Sequence, residues 1–245
     1  MTFSFSAIKI VPKIGRSVVE ASEKKPIKIF PYSYSSLESF ETCPRKHYGE
    51  RLGKEFARPF VQAASDGDTI HKQAELYALH GTDFENKYKK QIIQIVNELK
   101  SLGGEFYAEK ELAVTRDLTE CGWWDSSAYC RNKLDLLHVH GDSATIIDWK
   151  TGKPNVFSTQ LKLQALLVFM CFPKVNKVHS RYEWLKEGYA TKSTSYREFV
   201  KEDWAKFESR ISKYDWAFTH DKWIPKPGFL CKRFCGVTTC ENYGK

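Results

Sequence analysis

The sequence predicts an α/β (α+β) domain built around one mixed sheet. Three observations carry that expectation. Apolar residues recur with helical spacing up to about residue 102 and then switch to a period of two. A strongly apolar helical segment at 158–172 separates one group of strands from the next, so one strand pair should be parallel. With 245 residues, 42% hydrophobic and 14% aromatic, the chain can bury a real core and has too much apolar surface to stay disordered.

Residues 1–31 mix apolar and basic residues without sustained periodicity and are interrupted by Pro26 and Pro31, which marks an N-terminal extension. The rest, 32–245, reads as a single domain. Ser35-Ser36-Leu37-Glu38 has the form of a capping box, so a helix is expected over 35–42. Pro44 suits the first turn of a second helix, 44–53, with Cys43 at the joint. Asp66-Gly67-Asp68 is expected to start a helix reaching about His80, with Ile70, Ala74, Tyr77 and Ala78 on one face. Another helix should run from Asp83 to Leu102 on the stripe Ile92, Ile95, Val96 and Leu99, stopped by Gly103-Gly104. Strands follow at 105–116, 131–139 and 144–150, the last two joined at Gly141-Asp142. The helix from Ser158 to Phe172, strands near 179–186 and 193–200, and a helix near 203–217 complete the order. A Pro/Cys/Gly-rich tail, 218–245, closes the chain and is expected to pack near 35–53.

Lys and Arg outnumber Asp and Glu by 38 to 30, a net charge of +8 that favours a polyanionic partner. The longest apolar run, Ala165 to Phe172, is far too short to span a membrane, and the N-terminus has no secretory pattern. A cytoplasmic protein is expected, or one of the host cytoplasm if the source is viral. No GxxxxGK[ST] phosphate loop occurs, so any helicase motor would be a separate chain. Seven cysteines without a leader argue against a disulfide framework.

The most informative stretch is Arg131 to Lys150. If Gly141-Asp142 forms a two-residue hairpin loop, His140 pairs with Ser143, and counting back sets Asp135 opposite Asp148. Directly opposed like charges destabilise a sheet, so something must offset them. Lys150 shares the face of Asp148, while Trp149 between them points into apolar packing. A surface salt bridge would be the ordinary use of such charges. However, Ile146-Ile147 running straight into Asp148 reads as a buried strand emerging at its end. Two carboxylates held there suit a hard cation, Mg²⁺ or Mn²⁺. A three-residue loop would instead put the two aspartates on opposite faces.

Asp135 with Asp148-Trp149-Lys150 after twelve intervening residues resembles the PD-(D/E)XK nuclease superfamily. Tyr34 to Tyr48 (YSSLESFETCPRKHY) is similar to the opening motif of its RecB-like branch. Gly67-Asp68-Thr69-Ile70-His71 resembles that branch's histidine motif and Ala108-Glu109-Lys110 its glutamate strand. Ile147 to Lys153 (IDWKTGK) and Gln160 to Ala165 resemble the central strand and the motif helix after it. The matches run in order over about 32–240. The resemblance implies a restriction-endonuclease-like αβββαβ core and metal-dependent hydrolysis of DNA phosphodiesters. It implies His71, Asp135, Asp148 and the Trp149 carbonyl as ligands of Mg²⁺ or Mn²⁺. It also implies Lys150 for water activation and charge stabilisation, Glu109 in support of the metal, and Gln160 for positioning. Glu111 on the same strand face rivals Glu109.

Cys231, Cys235 and Cys240, with Cys43 as a distant fourth, could hold a [4Fe–4S] cluster or a structural zinc, or stay as free thiols. AddAB-type subunits and CRISPR-associated exonucleases of the RecB-like branch use one early and three late cysteines for a cluster. Their triplet is spaced x2 then x5, and here the middle cysteine is displaced by one. Arg45, Lys46 and Arg51, interleaved with Tyr48, suit a DNA strand groove, or else an ordinary solvated helix face. The expected function is a DNA exonuclease acting on ends or single strands in recombination, repair or viral genome processing. A single-strand-binding or recombination protein would be its natural companion. A structure-specific endonuclease, a catalytically silent DNA-binding module and a zinc-stapled interaction tail are the alternatives.

Overall fold

The computed structural model describes residues 31–59, 62–154 and 159–245. The expected extension, apart from Pro31, and the expected helix start at Ser158 lie outside the described residues. The elements in order are helices α1 (Tyr34–Thr42) and α2 (Pro44–His47), a π-helical turn (Tyr48–Leu52), α3 (Gln62–His80) and α4 (Lys89–Ser101). Strands β1 (Glu105–Val114), β2 (Cys130–His140) and β3 (Ser143–Lys150) follow, then α5 (Gln160–Cys171), β4 (Lys177–Trp184) and β5 (Tyr189–Tyr196). A 3₁₀ turn (Arg197–Phe199), α6 (Val200–His220) and the short α7 (Leu230–Arg233) complete the chain.

The five strands lie in sequence order. Neighbours are antiparallel except β3 and β4, which are parallel because α5 carries the chain back across the sheet. α5 is apolar almost all round, as a helix sandwiched between layers must be. On one face it packs with α1 and α6 against Leu134, Leu137, Ala144 and Ile146. On the other face α3 and α4 cover Leu136, Ile147 and Trp149. The result is a mixed-sheet α+β fold with the αβββαβ order that the sequence predicts.

Several boundaries move. The first helix is capped by Ser33, not Ser35: the Ser33 side chain accepts the Ser36 N–H, and the Ser36 hydroxyl reciprocates on the Ser33 N–H. Asp66-Gly67-Asp68 lies inside α3 instead of starting it. α4 begins at Lys89, not Asp83, because Asn86 accepts the Tyr88 N–H in a local turn and Lys89 pairs with both Asp83 and Glu85. The last strand is Tyr189–Tyr196, not 193–200, because Gly188, in the left-handed region at φ +71, closes a tight hairpin after Trp184.

His47 is 1% exposed among Phe40, Tyr214 and Trp223, with Nε2 3.3 Å from the Tyr214 hydroxyl. Burial, with the charges of Arg51, Arg58 and Lys46, lowers its pKa from 6.5 to about 4. A histidine held neutral contributes stability that is complete above pH 6.5 and lost as pH falls toward 4. The expected loss is about 3 kcal/mol. Urea midpoints measured across this window should show it, and His47→Gln should remove that component.

Candidate active site

β2 and β3 run as a regular ladder from the hairpin, with His140 opposite Ser143, as far as Leu136 opposite Ile147. There the pairing stops, one step before the expected cross-strand pair of Asp135 and Asp148. The two carboxylates therefore do not stand side by side in a ladder, and this corrects the sequence expectation. The Trp149 N–H points across to β2, where Asp135 Oδ2 accepts it at 2.8 Å in place of a main-chain carbonyl. The Trp149 side chain is buried against α3 and α4, as its parity predicts.

The break in β2 is matched in β1. Register is kept on both sides, with Ala108 opposite Leu136 and Lys110 opposite Leu134, but Glu109 between them has φ +51. For a residue with a Cβ, that left-handed conformation costs about 1–2 kcal/mol. It reverses the inward–outward alternation. Phe106 and Ala108 face α3 and α4, whereas Leu112 and Val114 face α5. On β2, Leu136 and Leu134 likewise lie on opposite faces. Both strands are re-aimed at one level of the sheet, the level that carries the acidic residues.

Three side chains converge there. His71 of α3, Glu109 of β1 and Asp135 of β2 place ligand atoms within 4.8 Å of one another. His71 Nδ1 is 3.3 Å from Asp135 Oδ2. Lys133, one residue pair along β2, holds the Glu109 carboxylate in an ion pair. Glu111 is exposed and outside the cluster, because the reversal at Glu109 makes the two glutamates inequivalent. Burial alone would depress His71. The hydrogen bond and charge of Asp135, with that of Asp148, outweigh it and lift the pKa from 6.5 to about 8. The cluster thus draws positive charge strongly enough to keep a proton that a free imidazole would release.

Asp148 approaches from the α5 side and is 2% exposed. Its Oδ2 accepts Nε2–H bonds from Gln160 at 2.8 Å and Gln164 at 2.9 Å, two residues one turn apart on α5. Its Oδ1 contacts Lys150 Nζ at 2.5 Å but has no aligned hydrogen bond. Lys150 also donates to Gln160 Oε1 at 3.1 Å and stands 5.1 Å from the Tyr182 ring centre. Burial pushes the Asp148 carboxyl up, and the charge of Asp135 adds to it, while Lys150 and Gln164 oppose the rise. Imidazole nitrogen and carboxylate oxygens, one of them buried with a hydrogen-bonding position open, are a donor set that fits a hard divalent cation.

A buried acidic residue two positions before a lysine at the end of β3, with an acidic residue from the hairpin partner, is the arrangement that its sequence motif encodes. The sequence profile of the PD-(D/E)XK nuclease superfamily matches residues 31–239. The chain belongs to that superfamily. This PD-(D/E)XK protein is a metal-dependent nuclease, and its fold is the one the superfamily shares. Two solved structures are similar to it at 11% identity. One is SSO0001, with a TM-score of 0.44, over 90% of this chain and 89% of that one. The other is a protein from Eubacterium rectale, provisionally named an exonuclease, with a TM-score of 0.47 over 92% of each chain. No curated protein matches the chain. Among the described residues, no helix is long and apolar enough to cross a membrane.

The remaining expected site residues are dispersed. Lys46 pairs with buried Glu50 at 2.5 Å, Arg45 lies 3.9 Å from Glu55, and the Tyr48 ring packs on Trp223 at 4.9 Å. Internal contacts therefore take up three of the four residues expected to grip DNA; Arg51 alone of them lines a cleft. None of the seven cysteines is in a disulfide. Cys43 Sγ accepts the Lys226 N–H at 3.3 Å, and the Gly236 N–H donates to Glu50 at 2.7 Å, so the tail touches the 35–53 helices at both points. Cys235 is pushed up by burial, with Cys43 and Glu50 adding to the rise. Gln164 and Lys133 are site residues that the sequence reading passed over. Gln164 had a signal: it is the one amide inside an otherwise apolar turn, four residues after Gln160.

Proposed function

We propose that the protein is a DNA exonuclease whose Mg²⁺ or Mn²⁺ is held by His71, Glu109 and Asp135, with Asp148 and the Trp149 carbonyl completing the set. The convergence of His71, Glu109 and Asp135 within 4.8 Å carries this reading. In an extended strand the Trp149 carbonyl leaves on the same edge as its N–H, toward Asp135. When bound, the metal neutralises phosphate charge and lowers the pKa of water. Lys150 supplies a second positive charge where negative charge grows on the phosphate. Gln160 and Gln164 orient the Asp148 carboxylate, and the Gln164 bond opposes the rise that burial imposes on it. Lys133 fixes Glu109.

End-labelled linear strands, blunt duplexes and circular single strands, incubated with Mg²⁺ or Mn²⁺, test the assignment. Linear DNA should be degraded, circles spared, and chelation should stop the reaction. Cut circles would make the enzyme an endonuclease. DNA binding without cleavage in either metal would make it a silent module.

Cys43, Cys231, Cys235 and Cys240 are read as ligands of a [4Fe–4S] cluster that ties the tail to the 35–53 helices. Contact of the tail with Cys43 supports this. Protein purified without oxygen should be brown, with about four irons per chain, and Cys43→Ser should lose them. Colourless protein carrying zinc would overturn the cluster.

A further inference from the structure

A cleft of about 660 Å³ opens beside the N-terminal end of β2, walled by α1, the π-helical turn and the loop between β1 and β2. Its rim combines four cations, Arg51, Lys54, Arg58 and Arg131, with the adjacent indoles of Trp123 and Trp124. Among the described residues, none of these four cations closes an ion pair with a carboxylate. Arg51 is instead held by the Ser35 hydroxyl at 3.3 Å and destabilised in its charged form by burial and by Arg58. The one acid in the cleft, Asp125, is engaged by the Ser127 N–H and hydroxyl, both at 2.8 Å. Uncompensated positive charge in a concave site is complementary to a phosphate chain.

The indoles decide which kind. Trp124 is 84% exposed, an unusual cost for the largest apolar side chain unless something covers it. It is nevertheless held in place. The Arg131 guanidinium lies 4.8 Å from the Trp123 ring centre and 5.4 Å from that of Trp124, and it donates to the Trp123 carbonyl at 3.3 Å. A fixed, open aromatic face among arginines is what an unpaired base stacks on, and the bases of a duplex are already stacked on each other.

The cleft shares β2 with the nuclease centre. Cys130 and Leu134 face α5, so Arg131 and Lys133 project from the opposite face, the one from which His71 reaches Asp135. Arg131 is four strand residues from Asp135, about 13 Å. We infer that this cleft is a single-strand channel, in which Trp124 stacks an unpaired base while Arg51, Arg58 and Arg131 take the phosphates on the way to Asp135. The inference rests on the nuclease reading for its substrate class and adds strand preference and the residues that set it.

Fluorescence anisotropy of a labelled oligothymidylate and of a blunt duplex of equal length, in EDTA at fixed salt, tests it. Trp124→Ala should weaken single-strand binding about tenfold and duplex binding less than twofold, and Trp124→Phe should recover most of the loss. Arg58→Ala should weaken the single strand and reduce its salt dependence by about one counterion. Unchanged single-strand affinity in Trp124→Ala, or an equal loss for duplex, overturns the channel. Because no cleavage is needed, the two readings fail separately. A wild type that cuts DNA while Trp124→Ala binds normally refutes the channel alone, and a Trp124-dependent protein that never cuts refutes the nuclease assignment alone.

Discussion

Asp148→Asn and Lys150→Ala are each expected to lower DNA cleavage by a factor of about 10²–10³ while leaving the fold intact. Asn is close to Asp in shape and keeps an oxygen for Gln160 and Gln164, so the α5 contacts survive. What disappears is the negative charge that orients Lys150 and faces the cation site. The stability effect separates this role from a structural one. The Asp148 carboxylate is costly to keep charged because it is buried and repelled by Asp135, and its ion pair with Lys150 offsets that cost. Asn removes that cost along with the ion pair, and Lys150, which is only part-buried, keeps solvent and Gln160 as partners. Asp148→Asn should therefore unfold within about 1 kcal/mol of wild type in EDTA. A dead enzyme at wild-type stability supports the site. A variant that cuts at the wild-type rate removes Asp148 from it.

Gly236→Ala should be the most damaging single change in the tail. A Cβ at this position would lie 2.1 Å from the Ala57 carbonyl oxygen, a main-chain atom that cannot step aside. Relief requires the tail to lift. Lifting breaks the Gly236 N–H bond to Glu50 and uncovers Val237, which is fully buried. Glu50 is itself buried and would keep only Lys46 as a partner. Overpacking plus a half-satisfied buried carboxylate costs about 3 kcal/mol. For a domain of this size that is a fall of roughly 6–12 °C in melting temperature. If the four cysteines hold a cluster, iron content should fall with it, since Cys235 is the next residue back. Gly152→Ala, where a Cβ would meet nothing within 4 Å, is the control and should melt like wild type.

The secondary structure was legible because its signals are local. The stripe of Ile92, Ile95, Val96 and Leu99 marks a helix wherever it packs, and Gly141-Asp142 fixes a two-residue hairpin whatever lies beyond it. Errors fell where a nearer competitor existed for the same role, as with Ser33 for the helix cap and the Gly188 turn for the start of β5. The motif residues were legible as a set, since their types and order carry the superfamily's signature. Their geometry was less so. Counting back from the hairpin placed Asp135 opposite Asp148, where the β2–β3 ladder stops one pair short, and strict alternation along β1 made Glu109 and Glu111 equivalent, which the left-handed turn at Glu109 undoes. One trace of it exists in the sequence: Leu134 and Leu136, then Leu137 and Val139, shift the apolar positions by one within a single strand.

By itself, then, the sequence determined the element order, the mixed sheet and the residue types that gather at the end of β3. These follow from hydrophobic period, turn chemistry and motif order, all properties of the chain read along its length. Only the tertiary structure decided which carboxylates meet His71, that Gln164 clamps Asp148, that Lys46 and Tyr48 serve internal contacts, and that Trp123 and Trp124 share a cleft with Arg51. Each of those depends on distances between segments tens of residues apart. Such distances are set by how helices pack on a kinked sheet, and no local pattern records them.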